Sequence, residues 1–226
     1  MCELLAVRSE APLEVARVLP WARLMEQRGV AGFGWGVAWY EGGQVHRYRS
    51  ELGICHDEVA DVALAGVRTT SLVVHLRRPS LLMGVRIENS QPYLDAERSL
   101  AFCHNGFFRR HMELRPQYEG LFEGTSDSEV GFRRYIALST TVETEEALKD
   151  VARTLEGNAN MLVLQGDGGR IFGHAGHEEN PMYRFRMDGM HWIASGLHSA
   201  DGYVYRRLFI RAEDIHLIPH HEVVEL

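Results

Sequence analysis

Cys2 is the residue of this sequence whose type and position raise the first chemical question. It stands directly behind Met1, and the 226-residue chain has only two other cysteines, Cys55 and Cys103. A free thiol has a pKa of about 8.5 and is mostly protonated at neutral pH, so it needs a base before it can react. Removal of Met1 would give Cys2 an α-amine whose unperturbed pKa is about 7.7–8.0, close enough to neutrality to exchange a proton. Taken alone, a cysteine at position 2 is most often a small residue that merely permits removal of Met1.

Three later stretches also carry side chains suited to chemistry. They are HLRRPS at 75–80, CHNGFF at 103–108 and SDSE at 126–129. The arginines can bind a carboxylate through a guanidinium fork, and the aspartate can bind an ammonium group. All three stretches, however, contain residue types that are also common for structural reasons.

Two of those structural reasons are specific. Asn105-Gly106 is the dipeptide most favoured in a tight hairpin, and it lies between two apolar runs. SDSE is typical of a capping box, with Ser126 at the N-cap and Glu129 three residues later. Asp127 would then lie in the first helical turn, where the helix dipole favours a carboxylate by about 0.3–1 kcal/mol. Each motif alone is therefore weak evidence for a functional site.

Taken together, the four motifs resemble the class II glutamine amidotransferases in content and in order. In that family a cysteine exposed by removal of the initiator methionine is followed by an H-x-R-x-x-[TS] segment, an H-N-G segment and an aspartate just before a helix. The match runs from Cys2 to the helix after Asp127, with weaker echoes in NANMLVLQGDGGRI and WIASG.

The resemblance implies a role for each matching residue. Cys2 would be the nucleophile that attacks a side-chain amide and forms a γ-glutamyl thioester, which water then cleaves. The side-chain amide of Asn105 and the backbone N–H of Gly106 would stabilise the oxyanion, where one donor is typically worth roughly 2.7–4 kcal/mol. The substrate would be glutamine or another γ-glutamyl amide, and neither a cofactor nor a metal is implied.

The same resemblance assigns the substrate-binding residues. Arg77, two residues after His75, would bind the α-carboxylate, and Asp127 would bind the α-ammonium group. Ser80 would supply the family's hydroxyl, whereas Arg78 is interpreted as a surface arginine.

Two positions depart from the family pattern. Gln91 in NSQPY stands where the family often has the histidine of N-x-H-P, and Phe33 in FGWG stands where it has an aspartate. Neither carries the predicted attack, but both leave the substrate undefined.

The sequence favours three other kinds of site or role less. Twelve histidines, including GHAGH at 173–177 and the pair His220-His221, come without HExxH or CxxC, so scattered histidines are favoured over a metal site. GFGWG at 32–36 lacks the GxGxxG spacing of a dinucleotide site. A non-catalytic binding or regulatory module would not need the nucleophile Cys2.

The length of the sequence is compatible with two uses of the released ammonia. Many family members fuse this domain to a synthase, for which 226 residues leave no room. The protein is expected either to pass ammonia to a separate synthase subunit or to act as a free-standing hydrolase. Whether it forms a homodimer is left open.

Composition bounds the remaining possibilities. With 45% apolar residues the sequence predicts a single domain spanning residues 1–226. A net charge of −7 argues against binding nucleic acid. The short LLAV run is no signal peptide, and no stretch is long enough to span a membrane. Three scattered cysteines fit a reducing compartment, so we expect the cytoplasm.

The elements that must position these residues are predicted from local patterns. Residues 12–28 read as two short helices, with Pro12 in a first turn and Pro20 as an interruption. Residues 29–43 and 71–76 read as strands, and residues 58–67 as a helix.

The second half is read in the same way. Helices are predicted from Ser126, and from Thr144 to about Glu156 with Gly157 as the stop. Asp188-Gly189 predicts a hairpin, and the remaining stretches read as strands: NMLVLQ, RIFGH, MYRFRM, HWIASG and HEVVEL.

This order of elements, strands then a helical pair then strands, predicts an α+β fold with mostly antiparallel sheets. The resemblance makes the expectation more specific: a four-layer αββα sandwich of the N-terminal-nucleophile hydrolase type, with Cys2 at the first strand.

Overall fold

The computed structural model describes residues 2–80, 84–198 and 206–226. Its strands are β1 Glu3–Glu14, β2 Trp35–Glu41, β3 Gln44–Ser50, β4 Arg68–Leu76, β5 Tyr93–Asp95, β6 Leu100–Phe108, β7 Gly157–Gln165, β8 Ile171–His174, β9 Met182–Met187, β10 Met190–Ser195, β11 Glu213–Leu217 and β12 Val223–Glu225. Its α-helices are α1 Leu19–Arg28, α2 Glu58–Ala63, α3 His111–Leu114, α4 Asp127–Leu138 and α5 Thr144–Leu155.

The strands form two sheets. The larger has seven strands in the order β11-β9-β10-β1-β4-β2-β3, and the smaller has five in the order β12-β8-β7-β6-β5. Every pairing between the strands given above is antiparallel. The predicted α+β class with antiparallel sheets is confirmed.

Three apolar clusters separate four layers. One lies between α1 and the seven-stranded sheet and includes Met25 and Trp192. The second lies between the two sheets and includes Leu4 and Leu162. The third lies between the five-stranded sheet and the pair α4 and α5, where alternate strand residues such as Phe102 meet the helices. These layers are the expected αββα sandwich.

Several local predictions hold. The Oγ of Ser126 accepts a hydrogen bond from the backbone N–H of Glu129, at 3.2 Å, and α4 begins at Asp127, directly after this cap residue. Helix α5 ends one residue before the predicted limit, at Leu155. Asp188 and Gly189 both have positive φ and join β9 to β10 as the predicted hairpin.

The prediction of two helices over residues 12–28 is wrong at its start. Strand β1 continues to Glu14, and Leu13 pairs with Thr69 after an irregularity that begins beyond Arg8. Pro12 lies in this irregular stretch, where a missing N–H does not interrupt a regular ladder. Two helical segments do follow, a short 3-10 helix Val15–Arg17 and then α1. Pro20 lies in the first turn of α1 rather than between the two, because that turn needs no N–H from it.

The prediction of a hairpin turn at Asn105-Gly106 is also wrong. Strand β6 runs through both residues, and they pair in register with Asn160 and Ala159 of β7. Gly106 has φ of 138°, and a Cβ there would lie 1.8 Å from the carbonyl oxygen of Asn158. The glycine is therefore needed for close approach of two strands, a requirement that local turn preference does not reveal.

Two predicted elements are shorter than expected. The strand predicted over residues 29–43 is Trp35–Glu41, closed by a Gly42-Gly43 turn. The helix predicted over residues 58–67 ends at Ala63.

Candidate active site

Antiparallel pairing of β1 with β4 places Cys2 beside the segment that follows β4. Glu3 pairs with Leu76, so the residue before one strand lies next to the residue after the other. The Sγ of Cys2 accepts a hydrogen bond from the backbone N–H of Arg78, with 3.4 Å between nitrogen and sulfur. Cys2 is partly exposed. Its thiol therefore lies at the open end of the strand pair.

Burial raises the pKa of the Cys2 thiol, although the hydrogen bond from Arg78 and the charge of Arg77 act in the opposite direction. A thiol with a raised pKa is protonated at neutral pH. Attack by Cys2 thus requires a base in contact with Sγ.

The thiol opens into a cleft of about 470 Å³ that collects most of the predicted site. Five of the six residues predicted from the sequence line it: Cys2, Arg77, Ser80, Gly106 and Asp127. The sixth, Asn105, is fully buried beneath it, and its Nδ2 donates to the carbonyl oxygen of Cys2. All six predicted residues therefore meet at one place.

A larger open cavity, of about 730 Å³, lies across the face of β1, β9 and β10 and holds none of these residues. Its arginines, among them Arg184 and Arg186, are accompanied by Glu10, Asp214 and other acids. No cysteine is among its lining residues, so its size alone does not make it the active site.

Among the described residues, Arg77 is a buried cation with no anionic partner. It is 6% exposed, and its Nη2 donates to the carbonyl oxygen of Gly84 at 2.8 Å. Within the described chain its Nη1 finds no hydrogen-bond partner and no carboxylate pairs with it. Burial lowers its pKa, and Asp127 is among the groups that raise it. A buried, unpaired guanidinium is costly unless an anion is supplied, and the cleft is where a ligand could supply one.

The glycine-rich segment before β2 fixes the backbone of Arg77. The backbone N–H groups of Gly32 and Phe33 both donate to the carbonyl oxygen of Arg77, at 3.1 and 3.0 Å, and Arg77 N–H donates to Gly34 O at 2.9 Å. Gly34 has φ of 113°, and a Cβ there would lie 2.9 Å from Ser90 Oγ. The segment GFGWG thus holds Arg77, and Phe33 contributes through its backbone.

Asp127 is held at the first turn of α4. Its Oδ2 accepts the backbone N–H of Phe108 at 2.8 Å, which ties the helix to the end of β6. The carboxylate of Glu129 accepts the N–H groups of Glu123 and Gly124, at 2.6 and 2.9 Å, instead of reaching back to the cap residue. Of the predicted capping box, only the hydrogen bond to Ser126 forms. The carboxylate of Glu129 instead orders the loop that precedes α4.

Asn89 is a cleft residue that sequence reasoning missed. Its Oδ1 accepts the backbone N–H groups of Thr125 and Ser126, at 2.8 and 3.2 Å, and its Nδ2 donates to Gly84 O at 3.1 Å. Gly84 O is also the acceptor for Arg77, so one side chain links both predicted substrate-binding segments. The signal that could have indicated this role is an asparagine at the first position of NSQPY. Asparagine side chains commonly hydrogen-bond to nearby backbone groups.

Gln91, one of the departures from the family pattern, bonds to β6. Its Nε2 donates to the carbonyl oxygen of His104 at 3.3 Å, and its Oε1 accepts the N–H of the same residue at 2.6 Å. The His104 ring hydrogen-bonds to Ser128 at 2.9 Å and stacks on Phe108, and burial lowers its pKa to about 4. Both side chains therefore support the cleft wall in neutral form at pH 7.

Two classes of site receive no support. Nowhere in residues 2–80, 84–198 or 206–226 do three or more His, Cys, Asp or Glu side chains cluster as metal ligands would. None of the helices described is both long and apolar enough to cross a membrane.

This chain is similar to known proteins in both sequence and fold. A family model described as glutamine amidotransferases class-II matches residues 1–188. A curated relative, the isomerizing glutamine–fructose-6-phosphate aminotransferase of Sulfurisphaera tokodaii, is 28% identical over 135 residues, which are 58% of this chain and 22% of the relative. The chain thus spans about a fifth of that relative's length.

Solved structures show the same fold. The glutamine phosphoribosylpyrophosphate amidotransferase of B. subtilis superposes with a TM-score of 0.77 at 17% identity, over 99% of this chain and 47% of its own. A glutamine aminotransferase class-II domain protein from Silicibacter pomeroyi superposes with a TM-score of 0.64 at 16% identity, over 99% of this chain and 94% of its own.

Proposed function

Because this chain belongs to the class II glutamine amidotransferases, we propose that its Cys2 cleaves the side-chain amide of glutamine or of a γ-glutamyl amide. The products would be glutamate and either ammonia or an amine.

The observation that carries the proposal is the match between the charges of the cleft and those of glutamine. Glutamine has one α-carboxylate and one α-ammonium group. Arg77 offers an unpartnered guanidinium nitrogen, and Asp127 is the one carboxylate among the described residues that line the cleft. Cys2 lies in the same cleft, so an amino acid held at both ends could present its side-chain amide to Sγ.

The chemical steps balance with groups of this chain. Removal of Met1 frees the α-amine of Cys2, which takes the thiol proton as Sγ attacks the amide carbon. The tetrahedral oxyanion is stabilised by Asn105 and Gly106, and it collapses as the carbon–nitrogen bond breaks. The ammonium returns its proton to the leaving amine. Water then hydrolyses the γ-glutamyl thioester and restores the thiol.

Asn105 can serve the oxyanion without leaving its present place. Its amide nitrogen carries two hydrogens, and one of them is used for the carbonyl oxygen of Cys2. The other hydrogen remains for the substrate.

The names of the relatives suggest where the ammonia could go. Both describe transfer from glutamine to a sugar phosphate, yet this chain spans only 22% and 47% of those proteins. We propose hydrolysis of the amide as the reaction of this cleft, with delivery of the ammonia to a separate synthase subunit as the alternative.

The test compares Cys2→Ala with Cys55→Ala, a matched control at a free cysteine away from the cleft. Glutamate release is measured from glutamine and from a panel of γ-glutamyl amides, and intact mass establishes whether Met1 is removed. We expect Cys2→Ala to abolish release and Cys55→Ala to retain it.

A second measurement addresses the nucleophile directly. Diazo-oxo-norleucine, an electrophilic glutamine analogue, should label Cys2 and neither Cys55 nor Cys103, as read by peptide mass spectrometry. Undiminished turnover in Cys2→Ala would rule out the proposed mechanism.

A further inference from the structure

Glu3, the residue after the nucleophile, is a fully buried carboxyl group in β1. The end of α1 closes over it, since a Cβ at Gly29 would lie 3.3 Å from Oε1. No arginine or lysine of the described chain pairs with it, and its nearest charged partner would be His198, whose Nε2 is 3.7 Å from Oε1. A buried charge without a strong partner is costly, so an apolar residue would serve folding better at this position.

One oxygen of Glu3 is bonded and the other is not. Oε2 accepts the hydroxyl of Ser195 at 2.5 Å and the amide Nδ2 of Asn180 at 3.1 Å, whereas Oε1 has no hydrogen-bond partner among the residues described. Burial raises the pKa of Glu3 to about 7, against the effect of those two hydrogen bonds. Because a proton would sit on Oε1, Oε2 remains an acceptor in both protonation states.

The hydrogen bonds lead from Glu3 to the nucleophile. The same Nδ2 of Asn180 that donates to Glu3 also lies 3.3 Å from the carbonyl oxygen of Cys2. That oxygen is the acceptor for Asn105 as well. Two side-chain amides, one from each of two distant segments, therefore meet at the carbonyl group of the nucleophile.

Asn180 is itself held by two further hydrogen bonds. Its Oδ1 accepts the N–H of His198 at 3.0 Å, and its backbone oxygen accepts Nδ2 of Asn160 at 2.7 Å. Asn160 lies opposite Asn105 in the β6–β7 register. Besides the carbonyl oxygen of Cys2, the Nδ2 of Asn180 lies within hydrogen-bond distance of two groups, Oε2 of Glu3 at 3.1 Å and the ring Nε2 of His198 at 3.1 Å. Glu3 Oε2 is the one of these two that is an acceptor in every protonation state, so it is the group that we expect to orient the amide.

We propose that Glu3 is a positioning residue: through Asn180 it fixes the carbonyl end of Cys2 and so holds Sγ at the cleft. This role rests on the proposed function of Cys2 as the nucleophile. It deepens that function, because it assigns a task to Glu3, Asn180 and Ser195, none of which touches the substrate.

The matched control is Glu26, a second buried glutamate. It is 8% exposed, lies in α1, and accepts the N–H groups of Ile54 and Cys55 at 3.0 Å each, outside the cleft. Glu26→Leu should lower thermal stability and leave kcat unchanged. A purely structural Glu3 would behave in the same way.

The expected result for Glu3→Leu is different. Without the acceptor, Asn180 loses its orientation, and kcat should fall about 10- to 100-fold, as for misplaced reacting groups. KM should change little, because Arg77 and Asp127 are untouched. Glu3→Gln keeps an acceptor at Oε2 and should retain a kcat near that of the unmodified protein.

Two further measurements keep the test decisive. Asn180→Asp, which replaces the donor by an oxygen, should also lower kcat and covers the case in which Glu3→Leu does not fold. The rate at which iodoacetamide alkylates Cys2, read by peptide mass spectrometry, should be lower in both variants, and it needs no substrate. Absence of turnover in the unmodified protein would therefore defeat the proposed function and leave the positioning role measurable.

The proposal is overturned if Glu3→Leu or Asn180→Asp alkylates at Cys2 as fast as the unmodified protein and retains its kcat. It is also overturned if Glu3→Gln loses as much activity as Glu3→Leu, since charge rather than an acceptor would then be what matters.

Discussion

At the scale of single residues, the cleft is defined by polar atoms that the protein leaves unsatisfied. The large majority of buried polar side-chain atoms in folded proteins find a hydrogen-bond partner, yet Nη1 of Arg77 has none among the described residues. The same side chain is fixed through Nη2 and through its backbone. An arginine that is held rigidly and left half-bonded is suited to bind a carboxylate without reorganising.

The first prediction here concerns that guanidinium. Arg77→Lys keeps a positive charge but loses the planar fork, so it can bond either to Gly84 or to a carboxylate with good geometry, not to both. A lost charge-assisted hydrogen bond is worth about 1.5–3 kcal/mol, which corresponds to a rise in KM for glutamine of about 10- to 100-fold. Steady-state kinetics measures it.

Arg78→Lys is the matched control for Arg77→Lys. Arg78 is exposed, and it contacts Cys2 Sγ through its backbone N–H, which the substitution leaves in place. Its KM should stay near that of the unmodified protein. Equal KM values in the two variants would remove Arg77 from the carboxylate site.

Sequence reasoning found the residues that project into the cleft and missed those that hold them. Cys2, Arg77 and Asp127 could be assigned because each belongs to a short motif. Glu3 and Asn180, which hydrogen-bond to each other, are 177 residues apart in the chain, and no local pattern reports a contact across that separation.

At the scale of elements, the site depends on where strands and helices end. Asp127 reaches the cleft because α4 starts at that residue, and its start is set by Ser126. The Oγ of Ser126 also shares a hydrogen bond of 2.5 Å with the hydroxyl of Tyr93, which lies in β5. The cap thus joins α4 to the five-stranded sheet.

Ser126→Ala should lower the free energy of unfolding by about 1–2 kcal/mol, since it removes the cap acceptor and leaves Tyr93 without its partner. Urea denaturation monitored by circular dichroism measures the change. Ser139→Ala, at the other end of α4, removes only a hydrogen bond to the carbonyl oxygen of Ile136. It should cost less than about 0.5 kcal/mol, and equal costs at both ends would contradict the role of the cap.

The capping motif could be predicted because its bonds lie within four residues. Asn105-Gly106 could not be placed in the same way, since its conformation is decided by pairing with β7, more than fifty residues later. The prediction that Pro12 starts a helix is wrong for a related reason: an irregularity in the β1–β4 pairing allows a proline within the strand. Local sequence preferences therefore predict the ends of helices well, but they predict poorly which strands pair with each other.

At the scale of the whole molecule, three packed interfaces bury side chains that would otherwise titrate near neutrality. His75 and His104 are buried beneath the cleft, and His174 lies in β8. Burial lowers the pKa of all three, to about 4 for His104 and His174, and well below the ordinary value for His75. The folded protein therefore holds these imidazoles neutral, whereas the unfolded chain protonates them below about pH 6.5.

The sign of the pH effect follows from proton binding. Between about pH 6.5 and 4 the unfolded chain binds more protons at these histidines than the folded state, so stability is lost as the pH falls. Glu3 acts in the opposite direction, because its raised pKa makes the folded state bind a proton first. Burial also lowers the pKa of His177 and His198, so one carboxyl group opposes five histidines. The protein should therefore lose stability on acidification through this window.

His174→Gln isolates one histidine far from the cleft. The ring Nδ1 hydrogen-bonds to the carbonyl oxygen of Ala159 at 3.0 Å, and a glutamine amide can donate to the same oxygen. Between pH 7 and 4.5 the unmodified protein should lose about 2 kcal/mol more than the variant, from a shift between about 6.5 and 4. Urea denaturation at a series of pH values measures the two slopes. His191→Gln, at an exposed site on β10, should keep the slope of the unmodified protein, and if His174→Gln keeps it too, burial of His174 does not drive the acid sensitivity.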